Sequence, residues 1–332
     1  MTARQRILVP GGGGFVGARV LAALAATDWA FPVGAGRSGP PRSLPSGAAW
    51  LSFDATDPAA VREAVRDCAG VVNCVTGDAR TIVASSRAVF AAAAANAPQA
   101  RVVHLSSMAV YGSASGSVDE RAALRADLGP YSAAKAAAEH GATLVSDSVI
   151  LRPGIVYGPG SPWWTDRIAR LLVTHRLGDL GAAGRGCCNL ICVEDLAQAI
   201  VRALRLPAGG ARVYNLAAPG APDWNGYFAH YATALGVSPL PRIGALRLGF
   251  ELRLAGPVLK LAEVAARAAR RADPDATPAI RPWLARICRH ALSLNIEAAN
   301  RDLPVRWTAL DEGLAVCARW FHASRPAPRG SL

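Results

Sequence analysis

Four consecutive glycines, Gly11 to Gly14, and a fifth at Gly17 separate a short aliphatic run from an apolar helical pattern. Ile7-Leu8-Val9 suits a buried parallel strand. Val16, Val20, Leu21 and Leu24 recur at helical spacing. Gly11, Gly14 and Gly17 give the spacing G-x-x-G-x-x-G, which lets the backbone turn sharply and approach a phosphate. Strand, glycine loop and helix together seat a pyrophosphate on a helix N-terminus, where free N–H groups and the helix dipole favour an anion. Gly11, Gly14, Phe15, Val16 and Gly17 are therefore the candidate phosphate-binding residues. A chain that opens this way is directed toward a parallel sheet with helical crossovers.

The second strand is expected over Phe31–Ala35. A site that prefers NAD usually ends this strand in an acid that bonds the ribose 2′-hydroxyl. No acid occurs between Asp28 and Asp54, and the charges in that stretch are Arg37 and Arg42. An arginine pairs with a 2′-phosphate, so the reading favours NADP over NAD, with Arg37 and Ser38 on the phosphate.

Further strands are expected at Val71–Val75, Arg101–Ser106 and Val149–Leu151, and helices over 81–96 and 131–145. This alternation predicts an α/β fold with a doubly wound parallel sheet of Rossmann type. The fold expected for the whole chain adds a smaller, discontinuous substrate-binding domain. The boundaries are 1–158 and 187–216 for the cofactor domain, and 159–186 and 217–325 for the substrate domain. At 332 residues the chain has room for both.

Lysine is rare here: of 36 basic residues only Lys135 and Lys260 are lysines. Lys135 lies four residues after Tyr131, so the two share a helix face. A compact ammonium on a thin stem can thread beneath a phenol and a bound ligand where a broad guanidinium cannot. Ser107 lies upstream in Ser106-Ser107-Met108-Ala109-Val110-Tyr111-Gly112.

With these motifs the chain resembles the extended short-chain dehydrogenase/reductase family, of NAD-dependent epimerase/dehydratase type. The matching residues run in family order from Gly11-x-x-Gly14-Phe15-Val16-Gly17 and Phe53-Asp54-Ala55-Thr56-Asp57 to Tyr131-x-x-x-Lys135 and Leu151-Arg152-Pro153-Gly154. Asn189 to Asp195, Val213-Tyr214-Asn215-Leu216 and Leu310 to Leu314 follow. The resemblance implies Ser107, Tyr131 and Lys135 as the catalytic residues. It implies that Asp54 contacts the adenine, that Pro153 and Gly154 border the nicotinamide, and that Tyr131 and Lys135 also hold the cofactor. Pro10 stands where threonine is usual, Asn73-Cys74-Val75-Thr76 replaces a histidine-containing run, and Cys192 stands where histidine is common.

In this reading Lys135 and the oxidised nicotinamide lower the phenol of Tyr131, which exchanges a proton with a secondary alcohol or ketone while Ser107 holds the reacting oxygen. The substrate expectation rests on residues 242–278, an insert rich in Leu, Ala and Arg. It resembles inserts of the 3β-hydroxysteroid dehydrogenase-like branch and favours a hydrophobic, sterol- or lipid-like substrate, with residues 242–271 touching a membrane surface. Arg281-Pro282-Trp283 lacks the Gly-Asp that follows a diphosphate-binding arginine in nucleotide-sugar members. A nucleotide-sugar epimerase or reductase is the alternative, and a non-catalytic NADP-binding regulator is a third reading.

The net charge of +12 comes without zinc-finger spacing or a dense basic run, so nucleic acid is not expected as a partner. Seven cysteines without C-x-x-C spacing predict reduced, buried thiols and a cytoplasmic protein. No metal site is expected, because Cys187, Cys188 and Cys192 with His175 lack paired ligand spacing. The helices expected at 81–96 and 131–145 are alanine-rich, which permits close approach, and the family resemblance implies that they pair in a homodimer.

Overall fold

The computed structural model describes residues 4–255, 259 and 278–325. In chain order the elements are β1 (Gln5–Pro10), α1 (Phe15–Ala25), β2 (Ala30–Gly36), β3 (Ala49–Ser52), α2 (Pro58–Ala64), β4 (Gly70–Asn73) and α3 (Ala79–Asn96). They continue with β5 (Arg101–Leu105), β6 (Gly116–Val118), α4 (Pro130–Glu139), β7 (Asp147–Pro153), β8 (Ile155–Tyr157) and α5 (Arg167–Val173). β9 (Leu190–Cys192), α6 (Val193–Ala203), β10 (Gly210–Leu216) and α7 (Trp224–Leu235) follow.

Seven strands pair in parallel in the order β10-β7-β5-β4-β1-β2-β3. This is the doubly wound arrangement, and its strand order reverses between β1 and β4. In such sheets the crevice beyond the carboxyl ends of the strands, at the reversal, receives the ligand. The central strands β1, β4, β5 and β7 are short, largely aliphatic runs buried on both faces. Val71, Val72, Val102 and Val103 are inaccessible, as a sheet covered by helices on both sides requires. On one face Val61, Val65, Val89, Phe90 and Ala93 of the α2 and α3 region pack on Leu8, Val33, Val102 and Ile150. α1 and α6 pack together elsewhere in the same unit. Pro32 is tolerated within β2 because pairing to β3 begins only at Val33.

The helix expected over 131–145 ends at Glu139 and tightens into a 3₁₀ turn at His140–Leu144. Gly141 lies there against Phe90, whose Cδ2 would stand 2.3 Å from an added Cβ. The helix expected over 81–96 begins earlier, at Ala79, because Asp78 caps it by accepting from the Thr81 amide at 2.7 Å.

The chain divides into two compact units. The first holds residues 1–154, 193–217 and 294–307, and with them the seven-stranded sheet. The second holds 155–192, 218–293 and 308–332. In the second unit β8 pairs with β9, and α7 packs on the helix Leu310–Ala323. Trp164 and Trp163 both meet Trp283 edge-on, at 5.4 and 5.8 Å between ring centroids. Trp164 also packs on the inaccessible Trp224. Residues 256–258 and 260–277 of the expected insert lie outside the described residues. Among those described, no helix is long and apolar enough to cross a membrane. All seven cysteines are free, and six are buried.

Candidate active site

The first unit holds the candidate residues after the carboxyl ends of β1, β2, β3, β5 and β7 and on α4. After β1 the chain turns at Gly11, whose φ of +80° is a glycine conformation. The amides of Gly11 and Gly12 both donate to the Ala35 carbonyl, at 3.0 and 3.1 Å, which fixes the loop to β2. A Cβ on Gly11 would stand 2.8 Å from the Cys74 carbonyl carbon and oxygen, so the loop lies against the chain leaving β4. A Cβ on Gly17 would meet the Gly11 carbonyl oxygen at 2.2 Å. Gly14 caps α1 in extended conformation and offers no side chain to the first-turn amides. Phe15 and Val16 open the helix, half-buried. A tight glycine cradle and an uncapped helix N-terminus at the strand-order reversal fit the pyrophosphate of a dinucleotide.

Arg37 follows β2 directly and is exposed. Asp54 is also exposed and accepts from the amide and the hydroxyl of Thr56, at 2.9 and 2.8 Å. Those two hydrogen bonds, with a smaller contribution from Arg37, hold its carboxyl below the usual range. Pro153 ends β7, buried, and the Gly154 amide donates to the Leu216 carbonyl at 2.9 Å.

Ser107 follows β5 and caps a 3₁₀ turn at Met108–Tyr111, where its Oγ accepts from the Ala109 amide at 3.2 Å. The same side chain also lowers the phenol of Tyr131. The Tyr131 residue is 45% exposed, yet the surroundings of its hydroxyl push the phenol up, and the Ser107 hydroxyl offsets part of that rise. Lys135 is only 3% exposed, and its Nζ donates to the Leu105 carbonyl at 2.7 Å. Burial brings its ammonium down to about 8, against the opposing charges of Cys74 and Glu139. The structure thus anchors Lys135 on β5. The group that lowers the phenol against its burial is Ser107 rather than the lysine.

Beneath this group runs a buried polar network that the sequence did not assign. Arg152 grips Glu139 with Nε at 3.0 Å and Nη2 at 2.6 Å. Ser106 donates to the same carboxylate at 2.5 Å. Arg152 Nη1 donates to the Tyr111 hydroxyl at 2.8 Å, and that hydroxyl donates to Asn215 Oδ1 at 2.6 Å. Asn215 Nδ2 donates to the carbonyls of Val118 and Asn295, both at 3.1 Å. Tyr111, Arg152 and Asn215 stood inside recognisable motifs without a role. The signal for Glu139 was its position four residues after Lys135, on the same helix face.

The sequence model of the NAD dependent epimerase/dehydratase family matches residues 7–217. No curated protein matches the chain. Among solved structures, MoeE5 in complex with UDP-glucose and NAD is similar at a TM-score of 0.71 and 21% identity, covering 96% of this chain and 99% of that one. UDP-glucuronic acid 4-epimerase from Bacillus cereus in complex with NAD gives 0.71 and 18%, with the same coverage of 96% and 99%. UDP-glucose 4-epimerase from Thermotoga maritima with UDP-glucose gives 0.72 and 16%, covering 96% and 99%. The family match spans well over half of the sequence and includes the glycine loop, Ser107, Tyr131 and Lys135. The chain belongs to the NAD dependent epimerase/dehydratase family.

Proposed function

We propose that the protein is a nicotinamide-dependent enzyme that moves a hydride at a secondary alcohol of a nucleotide sugar, as an epimerase or a keto-sugar reductase. The observation that carries the chemistry is that Ser107, which lowers the Tyr131 phenol, and the buried Lys135, held on the Leu105 carbonyl, lie in the same unit as the glycine cradle. Tyr131 takes the proton from the substrate hydroxyl or returns one to a carbonyl oxygen. Ser107 donates to that same oxygen and stabilises the charge that develops on it. Lys135 orients the nicotinamide ribose from its anchor on Leu105. When bound, the dinucleotide supplies the hydride acceptor and donor.

The substrate class is supported by the solved relatives, whose structures hold UDP-glucose and UDP-glucuronic acid. This reading moves away from the hydrophobic substrate favoured by composition. For the dinucleotide, the relatives support NAD, while the Gly36-Arg37 end of β2 supports NADP. With no acid to repel a 2′-phosphate and only exposed arginines, Arg37 and Arg42, to attract it, the preference is small. An exposed ion pair contributes about 0–1 kcal/mol, roughly fivefold at most. The alanine-rich α3 and α4 support a homodimer, to be weighed by light scattering.

The test is to incubate the protein and NAD with UDP-glucose and UDP-glucuronic acid and follow the sugar protons by NMR. A new 4-epimer, absent with Tyr131→Phe, is the expected result. Absence of conversion together with no thermal stabilisation by any uridine or thymidine diphosphate sugar would overturn the substrate class. A second reading, the hydrophobic alcohol or ketone, is favoured by one observation. Leu246 and Phe250, one turn apart on the helix Ala245–Phe250, are 93% and 57% exposed. Reduction of an apolar ketone, with binding to anionic vesicles that is lost in Leu246→Asp, would support it.

A further inference from the structure

β2 ends in Gly34-Ala35-Gly36, and the reason for the two glycines lies on the neighbouring strand. A Cβ on Gly34 would meet Cε3 and Cζ3 of Trp50 at 2.7 Å, and one on Gly36 would meet Cζ2 at 3.2 Å. A Cβ on Gly13, within the glycine loop, would meet Cη2 of the same indole at 3.4 Å. One ring therefore reaches from the end of β2 to the phosphate cradle. Trp50 Nε1 donates to the Ser38 carbonyl at 3.0 Å, and the Ser52 hydroxyl donates to the same oxygen at 3.3 Å. These bonds hold the ring in place and fix the turn that carries Arg37. The residue is only half-buried, so part of it remains open.

In a doubly wound dinucleotide site the end of β2 provides the side chain that meets the adenosine ribose, an acid where NAD is preferred. Here Gly36 provides no side chain, and the indole occupies the space one would fill. We propose that Trp50 is a dinucleotide-contacting residue that takes the place of the β2 acid, forming the wall against which the adenosine ribose packs. Recognition at this position is by shape and apolar contact rather than by a charged hydrogen bond. The inference rests on the dinucleotide-binding reading above. It explains Gly34 and Gly36 with one side chain, and an apolar wall accepts the ribose with or without its 2′-phosphate.

The test titrates NAD and NADP into the wild type, Trp50→Phe and Trp50→Ala, by calorimetry and by tryptophan fluorescence. The expected result is a fluorescence change on binding that is lost in Trp50→Phe. Affinity for both dinucleotides should fall about tenfold or more in Trp50→Ala, a loss of roughly 1.4 kcal/mol. A second arm restores the acid. Gly36→Asp combined with Trp50→Ala should shift the NAD-to-NADP preference at least about tenfold toward NAD, because a carboxylate then faces the 2′-phosphate. Gly36→Asp alone should not, since the indole occupies the space. Wild-type affinity in both Trp50 variants, with an unchanged fluorescence response, would overturn the proposal and leave Trp50 as packing against Leu21. If Trp50→Ala does not fold, Trp50→Phe decides by the fluorescence arm. A wild type that binds no dinucleotide overturns the underlying reading instead, and the wild-type titration alone reveals that case.

Discussion

A Cβ on Gly17 would stand 2.2 Å from the Gly11 carbonyl oxygen, so α1 and the glycine loop meet backbone to backbone. Nothing flexible is available to yield at that contact. Gly17→Ala must push the first turn of α1 away from the loop. Overpacking of this kind costs typically about 1–3 kcal/mol. The same displacement spreads the amides expected to face the pyrophosphate. Thermal melts should show the loss of stability, and titration should show dinucleotide affinity reduced by more than about tenfold. A Gly17→Ala protein that binds NAD as the wild type does would remove the loop as the phosphate seat.

The Ser107 hydroxyl holds the Tyr131 phenol lower than burial alone would leave it. Removing it in Ser107→Ala lets the phenol rise further. Alcohol oxidation needs the phenolate, so the rising limb of the kcat profile should move to higher pH in this variant. Tyr131→Phe removes the proton carrier and should lower kcat by about 10²–10⁴, with dinucleotide affinity retained. Superimposable pH profiles for wild type and Ser107→Ala would show that Ser107 does not tune the phenol.

What was legible in the sequence was local. The glycine spacing, the aliphatic run before it and the Tyr131–Lys135 interval each lie within one or two elements, where periodicity and turn chemistry suffice. The ends of α4 and α3 were misjudged because they are set by Phe90 against Gly141 and by the Asp78 cap. Partners far apart in sequence carried no signal at all. Arg152 meets Glu139 across 13 positions, and Tyr111 meets Asn215 across 104. Nothing local in the sequence connects Gly34 and Gly36 to Trp50, whose ring lies over them. The source of acidification was also invisible. The Tyr131–Lys135 spacing suggested a direct pair, whereas β5 offers Lys135 a carbonyl and Ser107 offers Tyr131 a hydroxyl.

Arg152 and Glu139 form a bidentate ion pair with both side chains 5% exposed. Replacing Arg152 with methionine leaves a buried carboxylate without its cation and deprives the Tyr111 hydroxyl of a donor. Breaking a buried pair from one side costs typically about 3–5 kcal/mol. Glu139→Gln retains hydrogen-bonding capacity toward Arg152 and Ser106 but removes the negative charge. We expect it to lower the Lys135 ammonium further, because Glu139 is one of the two charges that hold it up. Urea denaturation should rank wild type above both single variants, with the Arg152→Met loss partly relieved in Arg152→Met/Glu139→Leu. Additive losses in that double variant would mean that the two side chains do not act as a pair.

Lys135 gives the sharpest pH signature. Burial brings its folded-state value to about 8, from 10.5 for an unperturbed lysine. Below about pH 8 folded and unfolded chains both hold the proton, and the burial penalty is fully present. Between about 8 and 10.5 the unfolded chain holds more protons than the folded one. Stability rises with pH wherever the unfolded state binds more protons, by at most about 1.4 kcal/mol per pH unit for one group. The Lys135 contribution therefore improves as pH climbs through this window, opposite to a paired lysine, whose stabilisation fades there. Lys135→Met has no such contribution, while the other titrating groups are common to both proteins. Urea midpoints measured from pH 7 to 10 should show the wild type gaining on the variant above pH 8. Curves that stay parallel over the whole range would mean that Lys135 is not destabilised by its burial in the folded protein.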